Sequence, residues 1–179
     1  MEIREATPAD LPDVSHIHRL AFGQDEEAEL VHAILADPSA RPTLSLIARG
    51  RDDEALGHVL FSRARLAESD AVVGCALLAP LAVVPQAQGR GAGGQLIAAG
   101  LRHLEMAGID LVFVLGDPAY YRRHGFEAAG RQGLEAPYPI ADEHADAWMV
   151  QALRPGLLGK LHGKVICCDA LARPELWRE

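Results

Sequence analysis

Leu81-Ala82-Val83-Val84-Pro85-Gln86-Ala87-Gln88-Gly89-Arg90-Gly91-Ala92-Gly93-Gly94 is the stretch whose reading decides the fold. An apolar run ends at Pro85, a short polar turn follows, and glycines 89, 91, 93 and 94 lead into the helical pattern Gln95-Leu96-Ile97-Ala98-Ala99. Glycine in a helix costs roughly 1 kcal/mol relative to alanine. Several together at a helix start point to what glycine supplies, which is bare N–H groups and room for close approach. A helix N-terminus with free N–H groups at its positive dipole end is an anion site, above all for phosphates. The stretch therefore reads as a pyrophosphate cradle between a strand and a helix.

The pattern outward from it predicts one domain over residues 1–179, with its core at about 2–169. Residues 2–6 read as a strand. Thr7-Pro8-Ala9-Asp10 is a helix start, with a capping hydroxyl, proline at the first helical position and an acid three residues on. Leu11, Val14, Ile17, His18 and Ala21 keep helical spacing to Phe22, and Gly23 ends it. A second helix is predicted over 26–36. Strands at 43–49, 55–66 and 71–84, joined by turns at 50–53 and at Glu68-Ser69-Asp70, form an antiparallel meander. Pro80 inside the third of these requires a bulge or bend near 79–81. Helix 91–107 and the apolar strand 109–115 complete a right-handed strand–helix–strand unit with parallel strands. A short helix at 119–123, a strand at 124–127, a loop over 130–145, a strand at 146–153, a turn at 155–158 and a last strand at 164–168 follow. The segment from Arg173 to Trp177 has no clear pattern.

Composition excludes several classes. The chain has 179 residues, 49% of them hydrophobic, and a net charge of −8. That charge argues against sequence-independent nucleic-acid binding, which needs a basic surface. No apolar run is long enough for a membrane helix, and the charged N-terminus is unlike a signal peptide. Cys75, Cys167 and Cys168 read as buried thiols in a reducing, cytoplasmic setting, since the adjacent pair has poor disulfide geometry. No residues have metal-ligand spacing. His16 and His18 point in different directions on a helix.

The glycines spell two motifs in overlapping frames. Gly89-Arg90-Gly91-Ala92-Gly93-Gly94 matches the dinucleotide pattern G-x-G-x-x-G. Against it, Pro85–Gln88 separates strand from glycine, and about 80 residues precede a motif that normally opens its domain. The ribose acid is also misplaced, since Asp110 starts the next strand and Asp117 lies too far along. The second frame, Gln88-Gly89-Arg90-Gly91-Ala92-Gly93, is a Q-x-x-G-x-G pattern. With it go the order of elements from residue 1 to 127 and Tyr121-Arg122-Arg123-His124-Gly125-Phe126, a Y-x-x-x-G-F pattern.

On these residues the chain resembles the GNAT family of N-acetyltransferases. Val114-Leu115-Gly116-Asp117-Pro118-Ala119-Tyr120-Tyr121, Pro137-Tyr138-Pro139 and the strand around Met149 resemble a bacterial subgroup of uncharacterised predicted acetyltransferases. The resemblance implies an α/β (α+β) three-layer fold. Its mixed, mostly antiparallel sheet has helices on both faces and a splayed parallel strand pair. It implies acetyl coenzyme A as cosubstrate and no metal. The main chain of Ala82, Val83 and Val84 would pair with the pantetheine arm, and Gln88, Gly89, Arg90, Gly91, Ala92, Gly93 and Gly94 would hold the pyrophosphate. Arg122 or Arg123 would add charge. The bulge near Pro80 would free an N–H for the oxyanion.

By the same match Tyr121 is the acid for the departing thiolate, with Tyr120 ranked second; the plain alternative is that Tyr121 only packs the arm. The acceptor is a primary amine on a small molecule or peptide, and dimerisation is common in the family. No acid lies between Asp70 and Asp110 to serve as the base, which leaves Glu26, His58 or a water chain. Cys75 reads as filler rather than nucleophile. The missing carboxylate keeps open a rival reading, a non-catalytic acyl-coenzyme A sensor.

Overall fold

A computed structural model describes residues 1–67, 69 and 72–178. The predicted turn at Glu68-Ser69-Asp70 and the predicted strand start at Ala71 fall partly or wholly outside them. The chain builds strand β1 (Glu2–Glu5), helices α1 (Leu11–Phe22) and α2 (Glu26–Ala36), then strands β2 (Leu44–Arg49), β3 (Ala55–Leu66) and β4 (Cys75–Val83). Helix α3 (Ala92–Met106), strand β5 (Leu111–Leu115) and helix α4 (Pro118–Arg122) follow. The remaining strands are β6 (Glu127–Ala128), β7 (Leu134–Glu135), β8 (Trp148–Ala152) and β9 (Gly163–Ile166). The main sheet runs β1-β2-β3-β4-β5-β8-β6, while β9 pairs the end of β3 and β7. Every pairing in the main path is antiparallel except β4 with β5.

Helices α1 and α2 cover one face of the sheet. Val14, Ile17, Val31 and Ile34 pack there with Ile47, Leu60, Leu77 and Phe113. Helices α3 and α4 cover the other, where Leu96, Ile97 and Tyr121 pack with Phe61, Val112 and Phe126. From Gly57 to Ser62 the long β3 is buried on both faces, and beyond it exposed Arg63 and Arg65 alternate with buried Ala64 and Leu66. The start of α1 is fixed by charge as well as by its cap. Asp10 accepts the Thr7 N–H at 2.8 Å and pairs with Arg4 at 2.8 Å and Arg49 at 2.7 Å. Those partners, Arg4 first, hold its carboxyl far below the ordinary carboxylate range.

Two features of β4 position the site. Val59 stands opposite Leu81 and Phe61 opposite Leu78, so Leu60 alone faces Ala79 and Pro80. This is the bulge the proline required, and a bulged residue tolerates a missing N–H. Second, β4 and β5 pair only from Cys75/Leu111 to Leu78/Val114. Past that point β5 ends at Leu115 while β4 runs on to Val83 with no strand partner on that side among the described residues. The parallel pair is splayed.

The later chain is shorter in regular structure than its pattern suggests. The strand predicted at 124–127 reduces to Glu127–Ala128, because Gly125 and the end of α4 occupy the preceding residues. The loop predicted over 130–145 contains β7. The unpatterned tail folds into a single turn, Pro174–Trp177, anchored by the Trp177 indole N–H on the Leu171 carbonyl at 2.9 Å.

Candidate active site

The splay opens a cleft of about 420 Å³ lined by Leu77–Leu81 on β4, Val114 and Leu115 at the end of β5, Gly116 and Asp117 after it, Tyr121 on α4, and Phe22, Glu27 and Leu30 on the first two helices. Leu171, Leu176 and Trp177 close it from the C-terminal turn. Another hollow, about 500 Å³ around Cys75 and His103, lies at the start of β4, away from the splay.

On the β4 side the main chain is exposed in alternation. The Val84 N–H donates to the Leu56 carbonyl on β3 at 2.9 Å. Stepping back by two, Ala82 opposite His58 also turns its main chain to β3. Leu81 and Val83 therefore present theirs to the open side. Of the three residues expected to pair with an arm, only Val83 faces that way, and Leu81 joins it. The Val83 carbonyl already accepts the Gln88 side-chain amide at 2.9 Å, which ties the glycine loop to the end of β4.

The glycines divide into two kinds. Gly89 and Gly91 have φ of +75° and +87°, a region closed to most side chains. They turn the chain into α3, and the first helical hydrogen bond runs from the Gln95 N–H to the Gly91 carbonyl. The N–H groups of Ala92, Gly93 and Gly94 precede that bond and have no acceptor within the helix. Gly93 and Gly94 are small for another reason: a Cβ at Gly93 would run into the Tyr120 hydroxyl, and one at Gly94 would lie 2.7 Å from the His124 ring. Their absent side chains admit Tyr120 of α4 and His124 just beyond it. The Arg123 guanidinium sits 5.3 Å from the Tyr120 ring centre, bringing positive charge to the same corner. Arg90 and Arg122 are exposed.

Tyr121 is buried beside Gly116, edge-on to Tyr120 at 5.0 Å and to Phe126 at 5.7 Å. Burial first, and Tyr120 next, raise its pKa above the ordinary phenol value, so it holds its proton at neutral pH. Tyr120 is half-buried and shifted the same way by burial.

The other candidates separate. Glu26 lies in a neighbouring groove with Glu29, Asp169 and Glu175, while Glu27 is the α2 acid that lines the cleft. Asp117 also lines the cleft, but its carboxylate caps α4 through the Ala119 N–H at 3.0 Å. Asp110 accepts the Gly74 N–H at 2.8 Å and pairs with Arg154, a structural post between β4 and β5 rather than a ribose ligand. His58 is fully buried and hydrogen-bonded to His18 and Ser45, outside the cleft lining. Burial pushes the Cys75 thiol up to about 12, which makes it a packing residue rather than a thiolate. Among the described residues no group of three His, Cys, Asp or Glu could hold a metal ion, and no helix is long and apolar enough to cross a membrane.

Comparison with known proteins fits this geometry. The model of the acetyltransferase (GNAT) domain matches residues 2–129. The chain is 47% identical over 163 residues to the uncharacterized N-acetyltransferase YjhQ of Escherichia coli, covering 90% of this chain and 88% of that one. The crystal structure of Escherichia coli YhbS, a GNAT family N-acetyltransferase in complex with CoA, superposes with a TM-score of 0.86 at 32% identity, covering 96% and 92% of the two chains. A GNAT family acetyltransferase from Brucella melitensis in complex with acetyl-CoA gives 0.74 at 31% identity, covering 95% and 97%.

Proposed function

The chain belongs to the GNAT acetyltransferase family and is an N-acetyltransferase, and on that premise we propose how its cleft holds acetyl coenzyme A and moves the acetyl group to a primary amine. The single observation that carries the reading is the splay after Leu78/Val114 that ends against the free first turn of α3. The pantetheine arm adds to the open side of β4 through the main chain of Leu81 and Val83, as an extra strand would. The pyrophosphate lies on the N–H groups of Ala92, Gly93 and Gly94, with Gly89 and Gly91 shaping the loop and Arg90 or Arg123 adding charge. Backbone donors of this kind bind phosphate on a protein whose net charge is −8.

With the arm so placed, the thioester lies at the bulge. The Leu81 N–H, the first after Pro80 to face the cleft, stabilises the oxyanion of the tetrahedral intermediate. The amine enters from the side of α1, α2 and the C-terminal turn and attacks the carbonyl directly. Tyr121, still protonated, gives its proton to the departing thiolate. Glu27 at the mouth favours an acceptor that arrives as an ammonium ion, whether small molecule or peptide. We place the enzyme in the cytoplasm, where its three free cysteines stay reduced.

Titration calorimetry with acetyl coenzyme A, joined to a thiol-release assay over a panel of primary amines, tests this. Binding together with amine-dependent release of coenzyme A is the expected result. Binding without release for any amine would favour a non-catalytic acyl-coenzyme A sensor, a reading that the absence of an acid on β4 supports.

A further inference from the structure

Behind the cleft wall lies a chain of three polar side chains that the reaction as described does not use. Ser45 Oγ lies 2.8 Å from His58 Nε2, and His58 Nδ1 lies 2.9 Å from His18 Nε2. Both rings are fully buried, and Ser45 is half-exposed. The inner end, His18 Nδ1, is a buried polar atom with no partner among the described residues. The chain runs from β2 across β3 to α1, on the sheet face that carries the first two helices. Its position along the sheet is that of the thioester, since His58 stands opposite Ala82, the residue after Leu81. Phe22 stacks on His18 with ring centres 6.1 Å apart and planes 7° from parallel, and Phe22 itself lines the cleft.

The unpartnered atom fixes the direction of the chain. A neutral imidazole has one N–H and one lone pair. Were His18 Nδ1 protonated, a buried N–H would have no acceptor, the rarest kind of unsatisfied group. A bare lone pair is the cheaper state. His18 then donates from Nε2 to His58 Nδ1, His58 donates from Nε2 to Ser45 Oγ, and an empty lone pair sits at the inner end.

We propose that Ser45, His58 and His18 form a proton relay that carries the acceptor amine's surplus proton from the cleft to solvent. The proposal rests on the amine-acceptor reading above. An alkylammonium enters with three N–H protons and leaves as an amide with one. One of the other two replaces the proton that Tyr121 gives to the thiolate. The second passes, through a water or past a displaced Phe22 ring, to His18 Nδ1. The His18 Nε2 proton moves to His58 Nδ1, the His58 Nε2 proton to Ser45 Oγ, and the Ser45 hydroxyl proton to bulk water. Both rings end in the opposite tautomer and reset by the reverse passage once the emptied cleft fills with water. Burial holds His18 at about 4 and His58 at about 3, so the rings stay neutral and the proton passes through rather than lodging on either.

The first test is the H58Q variant, whose amide still donates and accepts but cannot take a proton on one side and release one on the other. With acetyl coenzyme A and n-butylamine, kcat falls at least about 10-fold while the Kd for acetyl coenzyme A stays within about two-fold. With hydrazine, a much weaker base, the deficit narrows to below about three-fold. An unchanged kcat with n-butylamine overturns the relay. So does an equal deficit with both amines, which would mark packing damage. The second test needs neither an acceptor nor a folded variant. Long-range nitrogen–proton spectra of the histidine rings in the wild-type protein read the tautomer directly. His18 protonated at Nε2 and bare at Nδ1 supports the relay, and His18 protonated at Nδ1 overturns it. If the wild-type enzyme releases no coenzyme A with either amine, the acceptor reading fails and the relay falls with it, an outcome distinct from turnover that H58Q leaves unchanged, which overturns the relay alone.

Discussion

The two walls of the cleft are built on different principles. The proposed donor side follows one continuous segment: β4, which lines the cleft as far as Leu81, and beyond it the glycine loop and the first turn of α3, with Tyr120 of α4 against Gly93. Its proposed contacts are main-chain groups, so its specificity is written in where glycine and proline permit the chain to go. The acceptor wall is assembled from Phe22, Glu27 and Leu30 near the start of the chain and Leu171, Leu176 and Trp177 near its end. Its contacts are side chains that meet only in the folded state. On the proposed reading, backbone would recognise the shared cosubstrate and side chains free to vary would recognise the acceptor. Four perturbations break or sharpen that contrast.

The largest falls on the acceptor wall. Trp177 is 3% exposed and packs edge-on to Trp148 at 5.6 Å. Trp177→Ala should cost about 3–5 kcal/mol of stability in urea unfolding. Acetyl coenzyme A affinity in the folded protein should change by less than about three-fold, because the donor wall shares no segment with the tail. A large loss of donor affinity would show that the two walls are not independent.

The next concerns the buried histidines on the same face. Their pKa values, about 4 for His18 and about 3 for His58, lie below the ordinary 6.5. The unfolded chain therefore takes up protons below pH 6.5 that the folded chain refuses. The stability they lend is complete above that pH and is lost as pH falls towards the folded values. Unfolding free energies from urea titrations at neutral pH and at about pH 5 should differ by about 2 kcal/mol per ring. A flat profile down to that pH would contradict their buried, neutral state.

On the donor side, Tyr121→Phe should lower kcat at least about 100-fold and leave the Kd for acetyl coenzyme A within about two-fold. An unchanged kcat would reduce Tyr121 to packing. The smallest effect belongs to Gln88→Ala, which removes the bond to the Val83 carbonyl. Donor affinity should weaken by about five-fold, the worth of one hydrogen bond of about 1 kcal/mol. The acceptor KM should not move.

Legibility in the sequence followed the same division. Helix α2 and strand β3 end where the pattern places them, because turn residues and a proline bound them on both sides. Pro80 announced the bulge because a ladder cannot use a residue without an N–H. The glycine loop was legible as a turn from strand into helix, but Gly93 and Gly94 were not legible as the seat of Tyr120 and His124. That contact joins residues some 30 apart, as the Gly93–Tyr120 and Gly94–His124 approaches show. The α2 acid that lines the cleft is Glu27 rather than Glu26, a difference of 100° around a helix that an acidic run cannot resolve. Phe22, Leu171, Leu176 and Trp177 carry no local signal at all, since nothing near them in sequence says they will share a wall.

The central claim is that β4 past its bulge and the first turn of α3 together hold the donor. A crystal structure of the protein with acetyl coenzyme A tests it most directly. Main-chain hydrogen bonds from the pantetheine arm to Leu81 and Val83 are expected, with the pyrophosphate on the N–H groups of Ala92, Gly93 and Gly94. An arm bound elsewhere, or a pyrophosphate away from the start of α3, would contradict it.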